Sequence, residues 1–374
     1  MPWYHQLLVS KELGGAGMIA LQLAAAMRDK GHESFAWLPG KGAAAEKANE
    51  IRLPCHFYTP EKALTGSKIE SALCNLRIGR LFRARAPGIV HVHSPHYYGA
   101  LSLGLRYSGL KTVVHIHLEE DKNVFQWAFK MAPSVIVTCA RFLIEYVRSA
   151  LPEHRQNSQQ FFAVPNAVDT DRFRPSDKMA AKLKVGVSPH IPLVLMVANL
   201  APHKGQETAL RTAAILKEKK VQAQFWFAGV ERGGTLEYTA RLKSLSNELG
   251  VEAQVKFLGQ RNDIPDLLRA ADFFLLPSTA EGLPLSILEA QASKVPVLAA
   301  PTAGIPEIIT HEKTGFLIAA NDAVGYATGV KCLLENPRLY ASIADKSYLR
   351  VLQENTWTTY VNRVYEIYAL LLHK

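Results

Sequence analysis

Cysteine is scarce in this sequence, with 4 residues in a chain of 374. They lack the paired spacing of a disulfide framework or of a zinc-ligand motif. No basic and apolar signal-peptide pattern opens the chain. These absences predict a cytoplasmic protein in a reducing compartment. The cysteines are Cys55, Cys74, Cys139 and Cys332.

Long hydrophobic runs and low-complexity stretches are also missing. No apolar run approaches the roughly 18 residues that cross a bilayer, so we expect any membrane contact to be peripheral. Hydrophobic residues make up 48% of the chain, which is enough for two packed domains.

Acidic residues are in deficit, because 33 Asp and Glu face 43 Lys and Arg. The net charge of +10 favours an anionic partner such as a nucleotide, a phospholipid or a nucleic acid. The sequence contains no recognised nucleic-acid-reading motif and no interleaving of aromatic and basic residues. We therefore predict no nucleic-acid partner.

Short apolar runs rich in β-formers alternate with longer helical patterns in both halves of the chain. This alternation predicts an α/β protein with two Rossmann-like units, each a parallel sheet wrapped by helices. The runs are "HQLLVS", "SFAWLP", "GIVHVHS", "KTVVHIH", "SVIVTC" and "FFAVPN", then "PLVLMVAN", "AQFWFAG", "QVKFLG", "FFLLPS" and "VPVLAAP".

The domain boundary is predicted in a segment rich in Pro, Asp, Lys and Arg that has no sustained apolar period. Residues 1–175 are expected to form the N-terminal domain, and residues 176–356 the C-terminal domain. The last segment, 357–374, has the apolar spacing of an amphipathic helix. We expect this helix to pack back on the N-terminal domain.

A glycine-rich turn, "GGAG" at Gly14–Gly17, follows the first strand and precedes a helix. Glycines at such a corner let backbone amides approach a phosphate or a sugar, although a plain tight turn explains them equally well. "GAGMIA" also fits the dinucleotide pattern of an NAD-dependent oxidoreductase, with Glu33 as the ribose ligand. Glu33 opens the next strand instead of closing it, which counts against that reading.

Two loops in the second half carry the strongest chemical signals. Lys204, in "NLAPHKGQETAL", lies between a strand and a helix, where an ammonium and helix amides suit a diphosphate. In "EGLPLSILEA", Glu281 precedes a helix and Glu289 lies inside it. A carboxylate at the position of Glu289 can accept both hydroxyls of a ribose. Glu281 would then meet the sugar beyond the diphosphate.

The two glutamates, with seven residues between them in "EGLPLSILEAQASKVPVLAAPTAGIPEIITHEKTGFLI", closely resemble the donor site of retaining glycosyltransferases of family 4. That family has the GT-B fold, in which two Rossmann-like domains face each other across a cleft. The resemblance covers nearly the whole chain. It also rests on "GGAGMIALQLAAAMRDKGH", "GIVHVHS", "VVHIH", "VPNAVDTDRF", "HKG" and "GIPEII".

The resemblance implies roles for residues of the second domain. Glu289 would bind the donor ribose, Lys204 the donor diphosphate and Glu281 the transferred sugar. The backbone beside Glu281 would line the same site; it comprises Gly282, Leu283, Pro284 and Leu285.

In the first domain, the resemblance implies that Gly14 and Gly15 face the phosphates across the cleft. His117 would lie near the reacting sugar, with His93 as a second candidate. One departure concerns Asn199, which stands where the family usually has an arginine. The lost charge leaves open a catalytically weakened nucleotide-sugar binding protein.

The resemblance implies no metal and no cofactor, and it implies that a UDP- or GDP-type sugar would be the co-substrate of a metal-independent, retaining reaction. His91, His93, His115 and His117 alternate along two strands, where buried, hydrogen-bonded histidines are more usual than a zinc site. "DTD" at Asp169–Asp171 imitates a metal-binding pair, but its position in the connector predicts a turn.

The acceptor is predicted to be a glycan, a lipid or a small molecule, such as a cell-envelope precursor, bound by the first domain as in the family. "SKIESALCNLRIGRLFRARAP", residues 67–87, has the pattern of a basic amphipathic helix. Such a helix can lie on an anionic membrane, and it can equally be a surface helix with solvated arginines. A peripheral membrane contact through residues 67–87 is therefore one of two open readings.

Overall fold

The structure, a computed structural model, describes residues 2–231 and 236–373. The chain divides into two compact units. Unit 1 comprises Met1–Asn166 with Trp357–Lys374, and unit 2 comprises Ala167–Thr356. The division comes before the expected boundary at residue 175, because the connector pairs with the end of unit 2. There, the Val168 amide donates to the Asn355 carbonyl at 2.9 Å.

Unit 1 contains a seven-stranded parallel sheet with the strand order β3-β2-β1-β4-β5-β6-β7. Because a parallel sheet is covered on both faces, its central strands are apolar almost throughout, and all five residues of β4 are buried. The strands are β1 (Trp3–Leu7), β2 (Glu33–Leu38), β3 (Cys55–Phe57), β4 (Gly88–Val92), β5 (Lys111–Ile116), β6 (Val135–Thr138) and β7 (Phe161–Ala163).

Helices surround this sheet, and the chain's last helix is one of them. They are α1 (Gly15–Asp29), α2 (Ala43–Glu50), α3 (Glu61–Thr65), α4 (Lys68–Arg83), α5 (Pro95–Ser108), α6 (Lys122–Ala128), α7 (Phe142–Ala150), α8 (Glu153–Gln156) and α17 (Trp357–Leu372).

The helix α17 forms where the apolar spacing predicts it, and it belongs to unit 1. Its buried stripe includes Tyr360, Val364 and Tyr368. The Tyr368 ring stacks on the ring of Tyr4 in β1, with 5.1 Å between the centroids. The last helix therefore completes the core of the first unit.

Unit 2 contains a six-stranded parallel sheet with the order β10-β9-β8-β11-β12-β13. Its strands are β8 (Leu193–Val197), β9 (Gln224–Ala228), β10 (Val255–Gly259), β11 (Phe273–Leu276), β12 (Val297–Ala299) and β13 (Phe316–Leu317). Its helices are α9 (Lys178–Lys184), α10 (Gln206–Glu218), α11 (Glu237–Glu248), α12 (Ile264–Ala270), α13 (Leu285–Ala292), α14 (Ile305–Ile308), α15 (Ala323–Glu335) and α16 (Pro337–Glu354), with 3-10 turns at Pro202–Lys204 and Glu252–Gln254.

Both sheets reverse their strand order in the middle. The reversal lies between β1 and β4 in unit 1, and between β8 and β11 in unit 2. In open parallel sheets, ligands bind outside the carboxyl ends of the strands at such switch points. The topology therefore selects the loops after β1, β4, β8 and β11 as candidate ligand loops.

Candidate functional site

The loops after β8 and β11 in unit 2 are tied to each other. The Thr279 amide donates to the His203 carbonyl at 2.8 Å. Gly205, with a φ of +81°, closes the first loop, and a Cβ atom there would come within 2.2 Å of the Pro277 carbonyl oxygen. Only glycine fits this conformation and this approach. The two loops thus form one surface at the switch point of the sheet.

Lys204 and Glu281 form an ion pair on this surface. The Lys204 Nζ lies 2.8 Å from the Glu281 Oε1, and the two side chains are 18% and 6% exposed. Because an ammonium has three donors, this bond leaves Lys204 with further hydrogen-bonding capacity. The sequence assigns these residues to two parts of a ligand, and the structure makes them partners of each other.

The helix α13 begins at Leu285, the last of the residues that the sequence assigns to the donor backbone contacts. Gly282 and Leu283 are buried, and the Gly282 carbonyl accepts from the Gly304 amide at 2.9 Å. Pro284 is the N-cap residue and Leu285 opens the helix without a side-chain cap. Uncapped amides at a helix start attract an anion.

Glu289 lies in the second turn of α13 and is partly buried. Burial raises the pKa of its carboxyl to about 7, and the positive charge of Arg172 acts in the opposite direction. Its carboxylate makes no hydrogen bond or ion pair with any residue of 2–231 or 236–373. Sequence reasoning does not find Arg172 as a neighbour, although "DRFRP" places arginines in the connector.

Asn199 lies in the loop after β8, upstream of Lys204. Its carbonyl accepts a hydrogen bond of 2.9 Å from the Gln206 side chain, which is fully buried at the start of α10. Asn199 is therefore part of the same surface but adds no charge. Positive charge at this surface comes from Lys204, which pairs with Glu281. Arg172 adds a positive charge that acts on Glu289.

The glycine segment of unit 1 follows β1 as predicted, but the helix begins within it rather than after it. Gly14 is the N-cap residue of α1 without a side-chain cap, and Gly15 is the first helical residue. Glu33 opens β2 and pairs in register with Trp3, at the amino edge of the sheet. It therefore lies at the end opposite to the glycines, where it cannot serve as the ribose ligand of a dinucleotide motif.

His93 and His117 follow β4 and β5 directly, so both lie at the carboxyl edge of the unit 1 sheet. The His93 Nδ1 lies 3.1 Å from the His117 Nε2. Burial lowers the pKa of His117 to about 3 and that of His93 well below its ordinary value. Both imidazoles are therefore neutral at physiological pH.

The ring nitrogens of His91, His93 and His115 lie within 4.8 Å of one another. A metal needs unshared lone pairs that converge on one point. Both nitrogens of His93 are already engaged, one with His117 and one with Gln6, and the rings of His91 and His93 stack at 19°. We assign no metal to this cluster.

The aspartate pair of the connector forms a turn, as the sequence predicts. The Asp169 Oδ1 accepts from the amides of Asp171 at 3.1 Å and Arg172 at 2.9 Å. This carboxylate therefore caps its own loop.

Comparison with known proteins decides the family. The family described as "Glycosyltransferase Family 4" matches residues 13–172, and the one described as "Glycosyl transferases group 1" matches residues 181–350. The two matches together span most of the chain. The chain belongs to the group 1, family 4 glycosyltransferases.

Curated relatives of this glycosyltransferase differ in how much they share with it. D-inositol 3-phosphate glycosyltransferase 2 of Catenulispora acidiphila is 34% identical over 186 residues, which are 48% of this chain and 44% of that protein. The chain thus spans about half the length of the relatives of this group. The Escherichia coli UDP-Gal:alpha-D-GlcNAc-diphosphoundecaprenol alpha-1,3-galactosyltransferase is 26% identical over 318 residues, covering 82% and 79% of the two chains.

Solved structures confirm the predicted fold class of the glycosyltransferase. The Anabaena protein HepE, in complex with UDP and glucose, superposes with a TM-score of 0.86 at 20% identity and covers 98% of this chain and 99% of HepE. The predicted GT-B class, with two parallel-sheet α/β domains, is therefore correct.

Proposed function

We propose that this protein is an enzyme that transfers a sugar from a nucleotide-diphosphate sugar to an acceptor, with retention of configuration and without a metal. One observation carries the proposal. Lys204 and Glu281 form an ion pair between the loops after β8 and β11 at the switch point of unit 2, the uncapped start of α13 follows Glu281, and Glu289 lies one turn further along that helix. Charge for a diphosphate and a carboxylate for a ribose are thus close together.

The donor diphosphate would bind at Lys204 and the first amides of α13. Lys204 is oriented by Glu281, so its remaining donors meet the phosphate oxygens without a large loss of side-chain entropy. Glu289 would accept the two ribose hydroxyls. Hydrogen bonds from hydroxyls stabilise the ionised carboxylate, so donor binding would lower the pKa of Glu289 from about 7.

A uridine nucleotide is the donor type that the relatives favour. HepE is described in complexes with UDP and with UDP-glucose, and the name of the Escherichia coli relative contains UDP-Gal. We therefore propose a UDP-sugar, with a GDP-sugar as the alternative.

In the proposed reaction, negative charge develops on the leaving diphosphate. Lys204 and the helix amides would stabilise this charge, a task that a divalent cation performs in other enzymes. Glu281 is committed to Lys204, so it orients the sugar and the lysine and is a poor nucleophile for the anomeric carbon. We therefore favour front-face departure and attack, in which a donor phosphate oxygen accepts the proton of the acceptor hydroxyl.

Roles in unit 1 extend the proposal. The first amides of α1, beside Gly14 and Gly15, would contact the donor phosphates, because this helix start also lacks a side-chain cap. His117 would contact the transferred sugar.

Asn199 supports a second candidate, a nucleotide-sugar binding protein with weak or no turnover. With asparagine at position 199, the loop after β8 keeps Lys204 as its lysine or arginine but lacks the arginine usual in the family. The charge of Lys204 is already partly balanced by Glu281. Release of UDP from a donor that binds separates the enzyme from the binding protein.

Thermal unfolding against a panel of nucleotide sugars tests the donor assignment. A ligand that binds the folded state raises the melting temperature, so UDP-sugars should stabilise the protein more than NAD at equal concentration. Glu289→Gln should reduce the shift, whereas Glu335→Gln, a change of an exposed glutamate on α15, should keep it. Equal stabilisation of both variants would contradict the ribose assignment. The anomeric configuration of the product, read by proton NMR, then tests retention.

We also propose that α4 holds the enzyme on an anionic membrane surface. Ile69, Leu73 and Leu76 are 73%, 50% and 40% exposed, although their spacing makes them one apolar stripe. Lys68, Arg77, Arg80 and Arg83 are exposed on the same helix.

Close packing fixes the orientation of α4. Gly79 meets Gly104 of α5 so closely that a Cβ atom on Gly79 would lie 2.8 Å from the Gly104 carbonyl oxygen. The buried side chain of Asn75 bonds both the Ala100 carbonyl and the Gly104 amide, at 2.9 and 2.8 Å. The stripe therefore cannot turn inward. Among the described residues, no helix is long and apolar enough to cross a membrane.

Co-sedimentation with vesicles tests this contact. The protein should bind vesicles that contain phosphatidylglycerol and bind neutral phosphatidylcholine vesicles weakly. Leu73→Glu should lower binding at least about tenfold, since a leucine buried in lipid contributes about 2 kcal/mol. The matched control is Leu183→Glu, which changes a leucine of unit 2 that is 63% exposed. Equal losses in both variants, or no binding by the wild-type protein, would refute the contact.

A further inference from the structure

A chain of hydrogen bonds runs through the core of unit 1 and ends at His117. The Tyr368 hydroxyl lies 2.7 Å from the His91 Nδ1 and 3.0 Å from the Gln6 Nε2. The Gln6 Oε1 lies 2.9 Å from the His93 Nε2, and the His93 Nδ1 lies 3.1 Å from the His117 Nε2. Neighbouring strands bring these side chains together, because Gln6 of β1 pairs in register with His91 of β4.

The histidines of this hydrogen-bonded network, His91, His93 and His117, are neutral. Burial lowers the pKa of His91 and of His117 to about 3, and it lowers the pKa of His93 well below the ordinary value. A neutral imidazole has one N–H donor and one acceptor nitrogen. Each bond of the chain therefore has one direction, and fixing one bond fixes the others.

The bond lengths favour one direction. A bond of 2.7 Å is typical of an O–H donor, so the Tyr368 hydroxyl donates to His91. The hydroxyl then accepts from the Gln6 amide nitrogen at 3.0 Å, a length typical of an N–H donor. With its nitrogen turned to Tyr368, Gln6 presents its oxygen to the His93 Nε2–H, and the His93 Nδ1 is left to accept from His117.

We propose that Tyr368 and Gln6 are positioning residues that hold His117 as its Nε2–H tautomer, so that its Nδ1 accepts a hydrogen bond from a hydroxyl of the bound sugar. Within residues 2–231 and 236–373, the His117 Nδ1 has no hydrogen-bond partner. The contact with a sugar rests on the proposed function, whereas the tautomer does not. Tyr368, on the last helix, thus determines whether the Nδ1 of His117, at the edge of the sheet, is a hydrogen-bond acceptor or a donor.

The opposite direction is the competing arrangement. Rotating the Gln6 amide by half a turn would reverse every donor in the chain and make His117 the Nδ1–H tautomer. The proposed direction has a cost, because it leaves the buried His91 Nε2–H without a partner among the described side chains. The short hydrogen bond from the Tyr368 hydroxyl to the His91 Nδ1 offsets that cost.

Nitrogen NMR on histidine-labelled, ligand-free protein near neutral pH measures the tautomer directly. The signals of His117 are assigned as those that disappear in His117→Asn. In the wild-type protein, we expect the proton on Nε2 and a bare Nδ1. A proton on Nδ1 would overturn the proposal, whatever the enzyme's activity.

Tyr368→Phe removes the hydroxyl that sets the direction. The Gln6 amide nitrogen then has no acceptor at that end, so we expect the Nδ1–H tautomer of His117 to become clearly populated. The control is Tyr360→Phe, on the same helix, because the Tyr360 hydroxyl is buried and has no partner among the described residues. An unchanged His117 spectrum in Tyr368→Phe, or an equal change in Tyr360→Phe, would overturn the proposal.

Turnover provides a second readout. Tyr368→Phe should lower kcat about fivefold, the usual effect of one hydrogen bond, with the donor KM nearly unchanged. Tyr360→Phe should keep kcat. If the wild-type protein transfers no sugar, the proposed function fails while the NMR result still decides the tautomer.

Discussion

Glu289→Gln should stabilise unit 2 at alkaline pH. Burial raises the pKa of this carboxyl from 4.5 to about 7, so the folded state holds its proton more tightly than the unfolded state. The free energy of unfolding therefore falls as the pH rises from about 4.5 to about 7, and it is level above that range. Since one pKa unit is worth about 1.4 kcal/mol, the full loss is at most about 3 kcal/mol.

Glutamine has no charge to bury, so the variant lacks this loss. Urea unfolding at about pH 8 should show Glu289→Gln more stable than the wild type by up to about 3 kcal/mol. At about pH 5 most of the difference should be gone, because the folded wild type is then protonated. A difference that does not change with pH would show that burial of this charge is not its cause.

The same substitution should weaken the binding of the nucleotide. Loss of an anionic acceptor for two ribose hydroxyls should reduce the affinity for UDP by roughly 1.5 to 3 kcal/mol. Binding to the wild type should also release a proton below about pH 7, because the ribose favours the ionised carboxylate. Calorimetry in two buffers with different ionisation enthalpies measures both effects. Unchanged UDP affinity in Glu289→Gln would refute the assignment.

The remaining predictions concern the metal, the sugar and the loop. Turnover should survive EDTA because Lys204 and helix amides take the place of a metal, and loss that manganese or magnesium restores would contradict this. Glu281→Gln should lower kcat much more than UDP affinity, since UDP lacks the sugar; equal losses, measured by initial rates and calorimetry, would indicate a general structural role. Gly205→Ala should destabilise unit 2 by at least about 2 kcal/mol in urea unfolding, because its Cβ meets the Pro277 carbonyl oxygen; a smaller loss would show that the loop can move.

Most strands were predictable from their apolar runs, including the three-residue edge strand β7 from "FFAVPN", but the edge strands β3 and β13 were not. The runs that predict β4, β5 and β8 suffice because both faces of each strand are buried. The edge strands β3 and β13, of three and two residues, are too short to give a periodic signal. They form because a neighbouring strand offers them hydrogen-bond partners.

The turn residues of the candidate site were predictable from glycine and proline punctuation, but the contacts between loops were not. Lys204 meets Glu281 because β8 and β11 are neighbours in the sheet, and a sequence pattern does not give strand order. Arg172 acts on Glu289 because the connector returns to unit 2, where Val168 bonds to Asn355. Such long-range pairs depend on the tertiary fold.

Hydrogen exchange with and without a UDP-sugar tests the location of the donor site most directly. Amides at the start of α13, residues 285–289, and in the loop 199–205 should exchange more slowly when the donor is bound, because they lie at the proposed diphosphate and ribose contacts. The same donor should give little protection there in Glu289→Gln. The proposed donor site would be contradicted if a saturating donor left both segments of unit 2 unprotected. It would also be contradicted if NAD gave protection that is confined to the glycine turn 14–17.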